Sequence, residues 1–295
     1  MTEFLEAVAG GAGRGAVYSL LALGFVIIYK AMRVISFAQP AFMFAGAVLV
    51  SYLSPSIGFW PAVVVGAIAI AGVALVVERV AIRPMVGKQV FVIAIITIGI
   101  DVIVRVVAGA FIGRDPRQVG DPWGLKTVDV FGITVEQRDI AAVVVTAILV
   151  SALFAFFQWT PIGLAMRASA LDQEAAMAQG VSVGTVFAVS WALAGALAAI
   201  AGVFAAAGRQ MDQNLWLVAL AALPVIILGG LDSLGGAVLG GLIIGVTQQI
   251  VVAYHREWFP YLDTNLGSIT PYLVMVLVLL VRPYGLFGTK EVERV

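Results

Sequence analysis

Apolar residues run along this chain in long stretches broken by short clusters of charge, Pro and Gly. A helix needs about 20 mostly apolar residues to cross a bilayer. Stretches of that kind lie near 12–29, 38–53, 60–78, 90–111, 139–158, 185–207, 216–231, 234–253 and 268–282. Those at 38–53, 216–231 and 268–282 are short, so they read as tilted helices or as broken, re-entrant segments whose free backbone groups need protein cover. The pattern predicts an all-α integral membrane protein: one polytopic bundle of about eight to ten spanning or re-entrant helices over residues 1–295.

Two connections break the apolar pattern differently. Residues 112–138 mix Gly, Pro and charge, and their VDVFGITVE stretch alternates like a short hairpin strand; this predicts an external cap. Residues 160–184 read as a helix outside the bilayer: Pro161 supplies the start, Leu164 to Gln179 has helical composition, and Gly180 stops it. Its charges, Arg167, Asp172 and Glu174, sit too close together for a span, and Leu164, Met166, Leu171, Ala175 and Ala178 between them need a surface to cover them. From the residues alone that surface is either the membrane interface or a groove on a cytosolic partner.

Composition narrows the class. Of 295 residues 62% are hydrophobic and 12% charged, against about 45–50% and 25% for soluble domains, which excludes a water-soluble enzyme. The 32 Gly and 11 Pro, set within apolar runs, suit helices packed closely in lipid. Little chain is left for an ATPase or receptor domain. Lys+Arg 17 balances Asp+Glu 17, giving no footprint for nucleic acid, and with no Cys there is no disulfide or thiol chemistry. Met1 to Glu6 holds two acids and no base, the wrong charge for a cleaved signal peptide, so the first helix is expected to stay.

Loop charge predicts an orientation. With the 159–184 loop in the cytoplasm, Lys30, Arg33, Arg79, Arg83, Lys88, Arg167, Arg282, Lys290 and Arg294 lie inside. Arg14, Arg114, Arg117, Lys126, Arg138, Arg209 and Arg256 lie outside, four of them in the long 112–138 loop that the rule discounts. Nine crossings then put the N-terminus outside and the C-terminus inside.

Four stretches, in order, resemble a known family. TPIGLAMRASALDQEAAMAQGVSVGTVFAVSWALAGALAAIAGVF at 160–204 is similar to the cytoplasmic loop and following helix of permeases in branched-chain amino acid ABC importers, the LivH-type family. GAVYSLLALGFVIIYKAMRVISFAQPAFMFAGA at 15–47 resembles its first hairpin, LPVIILGGLDSLGGAVLGGLIIGVTQQ at 223–249 its Gly-rich late hairpin, and LVLLVRPYGLFG at 277–288 its closing signature. The first hairpin departs from the family at Ser36, where Asn is usual, at Pro40, where Gly is usual, and at Ala41, where an acid is frequent.

The resemblance implies half of a transporter in the bacterial inner membrane. Such a permease pairs with a second homologous permease, expected to be non-identical, and with two cytosolic ABC ATPases; an external solute-binding protein delivers the ligand. ATP and Mg belong to the partner subunits, and this chain binds no cofactor. The coupling helix would use Leu164, Met166, Arg167, Ala168, Leu171, Asp172, Glu174, Ala175, Ala178 and Gly180. Hydrophobic, branched-chain amino acids are the first expectation for substrate, with urea, short amides or aromatic acids as alternatives. An ion-coupled secondary carrier, the competing class, calls for more intramembrane ionisable groups and an inverted repeat.

Polar residues within apolar runs carry the remaining expectations. Asp101 and Arg105, four apart, share a helix face and read as a mutual ion pair that fixes packing, or else as pathway residues. Ser36 and Gln39 either offer hydrogen bonds to a zwitterion or cap and turn the chain, and Tyr18 and Thr97 are weaker pathway candidates. Gly229, Gly230, Asp232, Gly235 and Gly236 read as a hinge. No catalytic residue or metal site is expected: the one His, His255, sits in a polar YHREW stretch, Ser268 lacks any orienting group, and neither HExxH nor a phosphate-binding loop occurs.

Overall fold

The computed structural model describes residues 2–85, 87–112, 117–130, 132–258 and 266–288. Arg114, Lys290 and Arg294 lie outside the described residues, as does the side chain of Arg256, so the expectations placed on them are not followed further.

In chain order the helices are α1 (Thr2–Met32), α2 (Gln39–Ile57), α3 (Phe59–Val77), α4 (Val90–Ile112), α5 (Gln137–Trp159), α6 (Pro161–Leu171), α7 (Gln173–Ala178), α8 (Val183–Ala206), α9 (Leu217–Leu220), α10 (Ala222–Gly229), α11 (Leu234–Trp258) and α12 (Leu266–Val281). Among the described residues seven helices are long and apolar enough to span: α1, α2, α3 with its extension to Met85, α4, α5, α8 and α11. The apolar segments Leu217–Gly229 and Leu266–Val281 are shorter. The 216–231 stretch is broken, as its length suggested, with α9 and α10 meeting at Ala221. Several helices outrun their apolar runs because polar ends remain helical beyond the hydrocarbon; α1 begins at Thr2 rather than near residue 12.

Packing centres on α1, which is buried on nearly every face from Gly15 to Ile28 and lies against α5, α8 and α11. Its contact with α11 is a crossing of two small-residue stripes. A Cβ on Gly11 would meet Val246 Cα at 2.6 Å, and one on Gly15 would meet the Gly241 carbonyl oxygen at 2.8 Å. Gly241 and Gly245 present the same bareness in return. Backbone-to-backbone approach of this kind replaces the hydrophobic drive that lipid removes. On α4 the buried residues Ile93, Thr97, Asp101, Ala108 and Ile112 form one stripe, with α2 packed against the helix, while Ile103, Val106 and Phe111 face outward.

Loop contacts sort the connections into two ends. At one end the expected hairpin forms, β1 (Thr127–Val130) antiparallel to β2 (Ile133–Glu136) with Val128 opposite Val135. The cap is stitched down by the Arg117–Met211 bridge, by Asp121 accepting the Gly208 N–H at 3.0 Å, and by Trp123 stacked on Phe204. The opposite end gathers the α1–α2 turn, the 83–89 turn, the 160–182 connection, the 230–233 turn and residues 282–288, and with them Lys30, Arg33, Arg83, Lys88, Arg167 and Arg282. Bases grouped in short connections are what the positive-inside rule associates with the cytoplasmic side.

Candidate functional site

Thr160 turns α5 into α6 at the end that holds the α1–α2 turn. Its hydroxyl donates to the Phe156 carbonyl at 2.7 Å and accepts the Gly163 N–H at 2.9 Å, so one side chain closes one helix and caps the next, with Pro161 in the first turn. Gly163 then rests on the α5 backbone, where a Cβ would meet Phe157 Cα at 2.7 Å. The corner presses Met166 and Ser169 inward and turns Leu164 and Leu171 outward; Leu171 is 89% exposed.

Two expectations for this connection are corrected. A single helix over Leu164–Gln179 does not form: the helix begins at Pro161 and breaks at Asp172, whose backbone is extended and whose carboxylate accepts the Ala175 N–H at 3.0 Å to start α7. Asp competes with the helix by bonding its own neighbours, which makes it a start signal in the middle of helical composition. Met166 is the second correction, because at 3% exposure it packs on the permease itself and is withdrawn from the partner-facing set. Leu164, Arg167, Leu171, Asp172, Glu174, Ala175 and Ala178 do face outward, Ala168 is half-buried, and Gly180, at φ +85°, ends α7.

Four polar bridges, none legible in the sequence, join this end of the molecule. Arg33, itself at φ +56° where α1 stops, donates from Nη2 to the Ala170 carbonyl at 3.1 Å. Gln173 Nε2 donates to the Ala31 carbonyl at 2.9 Å, and Lys30 Nζ to the Asp232 carbonyl at 3.1 Å. Arg83 pairs with buried Glu78 at 3.0 Å and donates to the Gly184 carbonyl at 2.8 Å, tying the end of α3 to the start of α8. The 160–182 connection is thus anchored to α1 by the Arg33 and Gln173 bonds.

The Gly-rich turn predicted as a hinge is closely packed at three of its glycines. Gly229 and Gly236 touch backbone to backbone, and a Cβ on Gly230 would meet Gly288 N at 2.5 Å. The Leu286 N–H donates to the Leu228 carbonyl at 2.7 Å and the Phe287 N–H to that of Gly229 at 3.2 Å, so the closing segment lies on the turn. Ser233 Oγ accepts the Gly236 N–H at 2.9 Å, and open space surrounds Gly235.

Three of the four pathway candidates meet at the α1–α2 turn. Thr97 Oγ1 accepts the Phe37 N–H at 3.0 Å and donates to the Ala94 carbonyl; Ser36 Oγ faces the Ala38 N–H at 3.4 Å. Gln39 opens α2, fully buried, its amide opposite Gly24 and without a hydrogen-bond partner among the described residues. One turn along α4 from Thr97, Asp101 lies 2.9 Å from Arg105, whose guanidinium sits 3.9 Å above the Trp216 ring.

Tyr18 belongs elsewhere. It donates to Gln248 Oε1 at 2.8 Å at the wall of a cavity of about 600 Å³ at the end opposite the 160–182 connection. That cavity also gathers Arg14, Glu136, Arg138, Asp139 and Arg209 from α1, the β2–α5 junction and the loop after α8. Desolvation in its wall, then repulsion from Arg138 and Arg14, draws the Arg209 guanidinium below its usual range. Intramembrane ionisable residues point to function by default, and the rule applied to Asp101 would have flagged Arg14 and Asp139 as well. Among the described residues no three His, Cys, Asp or Glu side chains are grouped to hold a metal, and His255 Nδ1 lies 2.8 Å from the Val252 carbonyl oxygen.

Comparison with known proteins adds three findings. Residues 7–279 match the family model described as branched-chain amino acid transport system / permease component. The chain is 29% identical to the high-affinity branched-chain amino acid transport system permease protein LivH of Salmonella typhimurium, over 99% of this chain and 98% of that one. It is 27% identical to the corresponding protein BraD of Pseudomonas aeruginosa, again over 99% and 98%. Among solved structures, a chain of PsaBC from Streptococcus pneumoniae in complex with Fab shares the fold at TM-score 0.52 and 13% identity, covering 93% of this chain and 91% of that one.

Proposed function

Because the chain belongs to the branched-chain amino acid transport permease family, we propose that it forms half of the translocation pathway of an ATP-driven importer for branched-chain and other hydrophobic amino acids, beside a second, non-identical permease. The chain is a multi-pass permease of the inner membrane, and importers of this kind work with cytosolic ATPases and an external binding protein. Transport, rather than catalysis, is its task.

One observation carries the coupling role. Leu164 and Leu171 stand 60% and 89% exposed on a short helix among Arg167, Asp172 and Glu174, at the basic end of the bundle. Apolar side chains displayed there, on a helix anchored from behind by Arg33 and Gln173, form a surface ready for a groove. We assign that groove to an ATPase subunit. Closure of the ATPase pair moves α6 and α7; the Arg33 and Gln173 bridges carry the motion into α1, and the chain leading from α7 carries it into α8, which Arg83 ties to the end of α3. The two nucleotide states shift the bundle only by contacting it differently. The 229–236 turn would serve as the joint about which α11 shifts.

Reconstitution tests the reading. The permease pair, its ATPases and its binding protein, in liposomes, are expected to accumulate leucine, isoleucine and valine only with internal ATP. Uptake that persists when the ATPases lose their phosphate-binding lysine would assign the chain to the secondary carriers instead.

A further inference from the structure

The cavity opposite the coupling connection has the chemistry to receive the substrate itself. Its charges divide into a satisfied pair and an unsatisfied remainder. Arg138 is committed: its Nε lies 2.5 Å from Glu136 Oε2, and its Nη1 donates to the Ala207 carbonyl at 3.0 Å. Asp139 is only loosely held by it, at 3.9 Å. Arg14 and Arg209 make no hydrogen bond or ion pair among the described residues, although both line the same cavity. An unpaired arginine in a membrane helix is costly unless it faces water or awaits an anion.

The backbone is cut away to admit Asp139. A Cβ on Gly13 would lie 2.6 Å from Asp139 Oδ1, and one on Gly10 would lie 3.6 Å from Oδ2. Bare glycines on α1 therefore bring a carboxylate against the helix that carries Arg14. The same cavity is also lined by the apolar side chains of Val17, Phe204, Leu217 and Leu220. Two cations, one anion and an apolar wall make a complement to a small molecule with one carboxylate, one ammonium and a hydrocarbon side chain. The volume of about 600 Å³ falls within the range of ligand pockets.

Resting on the importer reading above, we propose that this cavity is the receiving site for a zwitterionic apolar α-amino acid, with the carboxylate held between Arg14 and Arg209, the ammonium at Asp139, and the side chain against Val17, Phe204 and Leu217. Arginine forks suit carboxylates bidentately. A neutral amide or urea gains neither charged contact, and an acid lacking the amine leaves Asp139 without its partner. The arrangement thus separates the amino-acid alternative from the others at the permease, downstream of any choice made by the binding protein.

The test uses the whole importer. In nanodiscs without binding protein, saturation-transfer NMR is expected to detect leucine but neither 3-methylbutylamine, which lacks the carboxylate, nor 4-methylpentanoate, which lacks the amine. In liposomes with binding protein, Arg14→Gln, Arg209→Gln and Asp139→Asn are each expected to lower leucine uptake about tenfold or more, the loss that follows from one charged hydrogen bond. Arg209→Lys should recover part of it, with the yield of assembled complex monitored in parallel to separate loss of binding from loss of assembly. Variants that import leucine at the wild-type rate, or equal signals from leucine and 3-methylbutylamine, would overturn the site and leave the importer reading standing. A wild-type importer that accumulates no amino acid would overturn that reading and the site with it.

Discussion

Gln173 Nε2 lies 2.9 Å from the Ala31 carbonyl oxygen, so the first residue of α7 is bonded to the last turn of α1 across 142 positions of chain. Because α1 is buried against α5, α8 and α11, this bond and its neighbour from Arg33 to Ala170 place the 160–182 connection in contact with a central helix of the bundle. Under the proposed coupling role, these two side-chain-to-backbone bonds would be the route by which a movement of α6 and α7 reaches α1.

Removing those two donors is expected to uncouple the machine. Gln173→Ala combined with Arg33→Ala should leave the assembled complex and its ATP hydrolysis intact while leucine imported per ATP falls several-fold. Parallel measurement of hydrolysis and uptake in liposomes checks this; a proportional fall in both would place the bonds in assembly rather than transmission.

Gly163 has no room for a side chain against Phe156 and Phe157. Overpacking of this kind costs about 1–3 kcal/mol, so Gly163→Ala is expected to lower the thermal midpoint of the purified complex and to displace α6. Thr160→Ala, which removes the cap, should cost about 0.5–2 kcal/mol. Thermal unfolding read by tryptophan fluorescence gives both numbers.

Asp101 and Arg105 balance one another within α4. Breaking one side of a buried pair is destabilising by about 3–5 kcal/mol, whereas replacing both partners is far milder. Asp101→Ala should therefore reduce complex yield and stability more than Asp101→Ala with Arg105→Met. Normal yield of the single variant with uptake lost would move the pair from packing into the pathway.

The spans were legible because bilayer thickness demands long apolar runs whatever the fold, and the cap hairpin because VDVFGITVE alternates with period two. Gly180 announced its own role, since a glycine after a helical run supplies the left-handed conformation that ends it. The break at Asp172 was hidden by the Ala-rich composition on both sides, although an Asp three residues before an open N–H is itself a capping signal. Arg33, Arg83 and Gln173 were unreadable because their partners are backbone carbonyls on other helices, and any residue type supplies a carbonyl. The cavity was missed because Arg14, Asp139 and Arg209 come from distant stretches, and although Arg14 and Asp139 border apolar runs, nothing in the sequence brings the three together.

The central claim is that Leu171 faces the cytosol and is covered by an ATPase in the assembled importer. The chain has no cysteine, so Leu171→Cys gives a single reactive position, and a membrane-impermeant maleimide reports its surroundings. The account predicts no labelling in right-side-out vesicles, rapid labelling in inside-out vesicles that hold the permeases alone, and strong protection once the ATPases are bound. Labelling from the external side, or labelling unchanged by the ATPases, would contradict it.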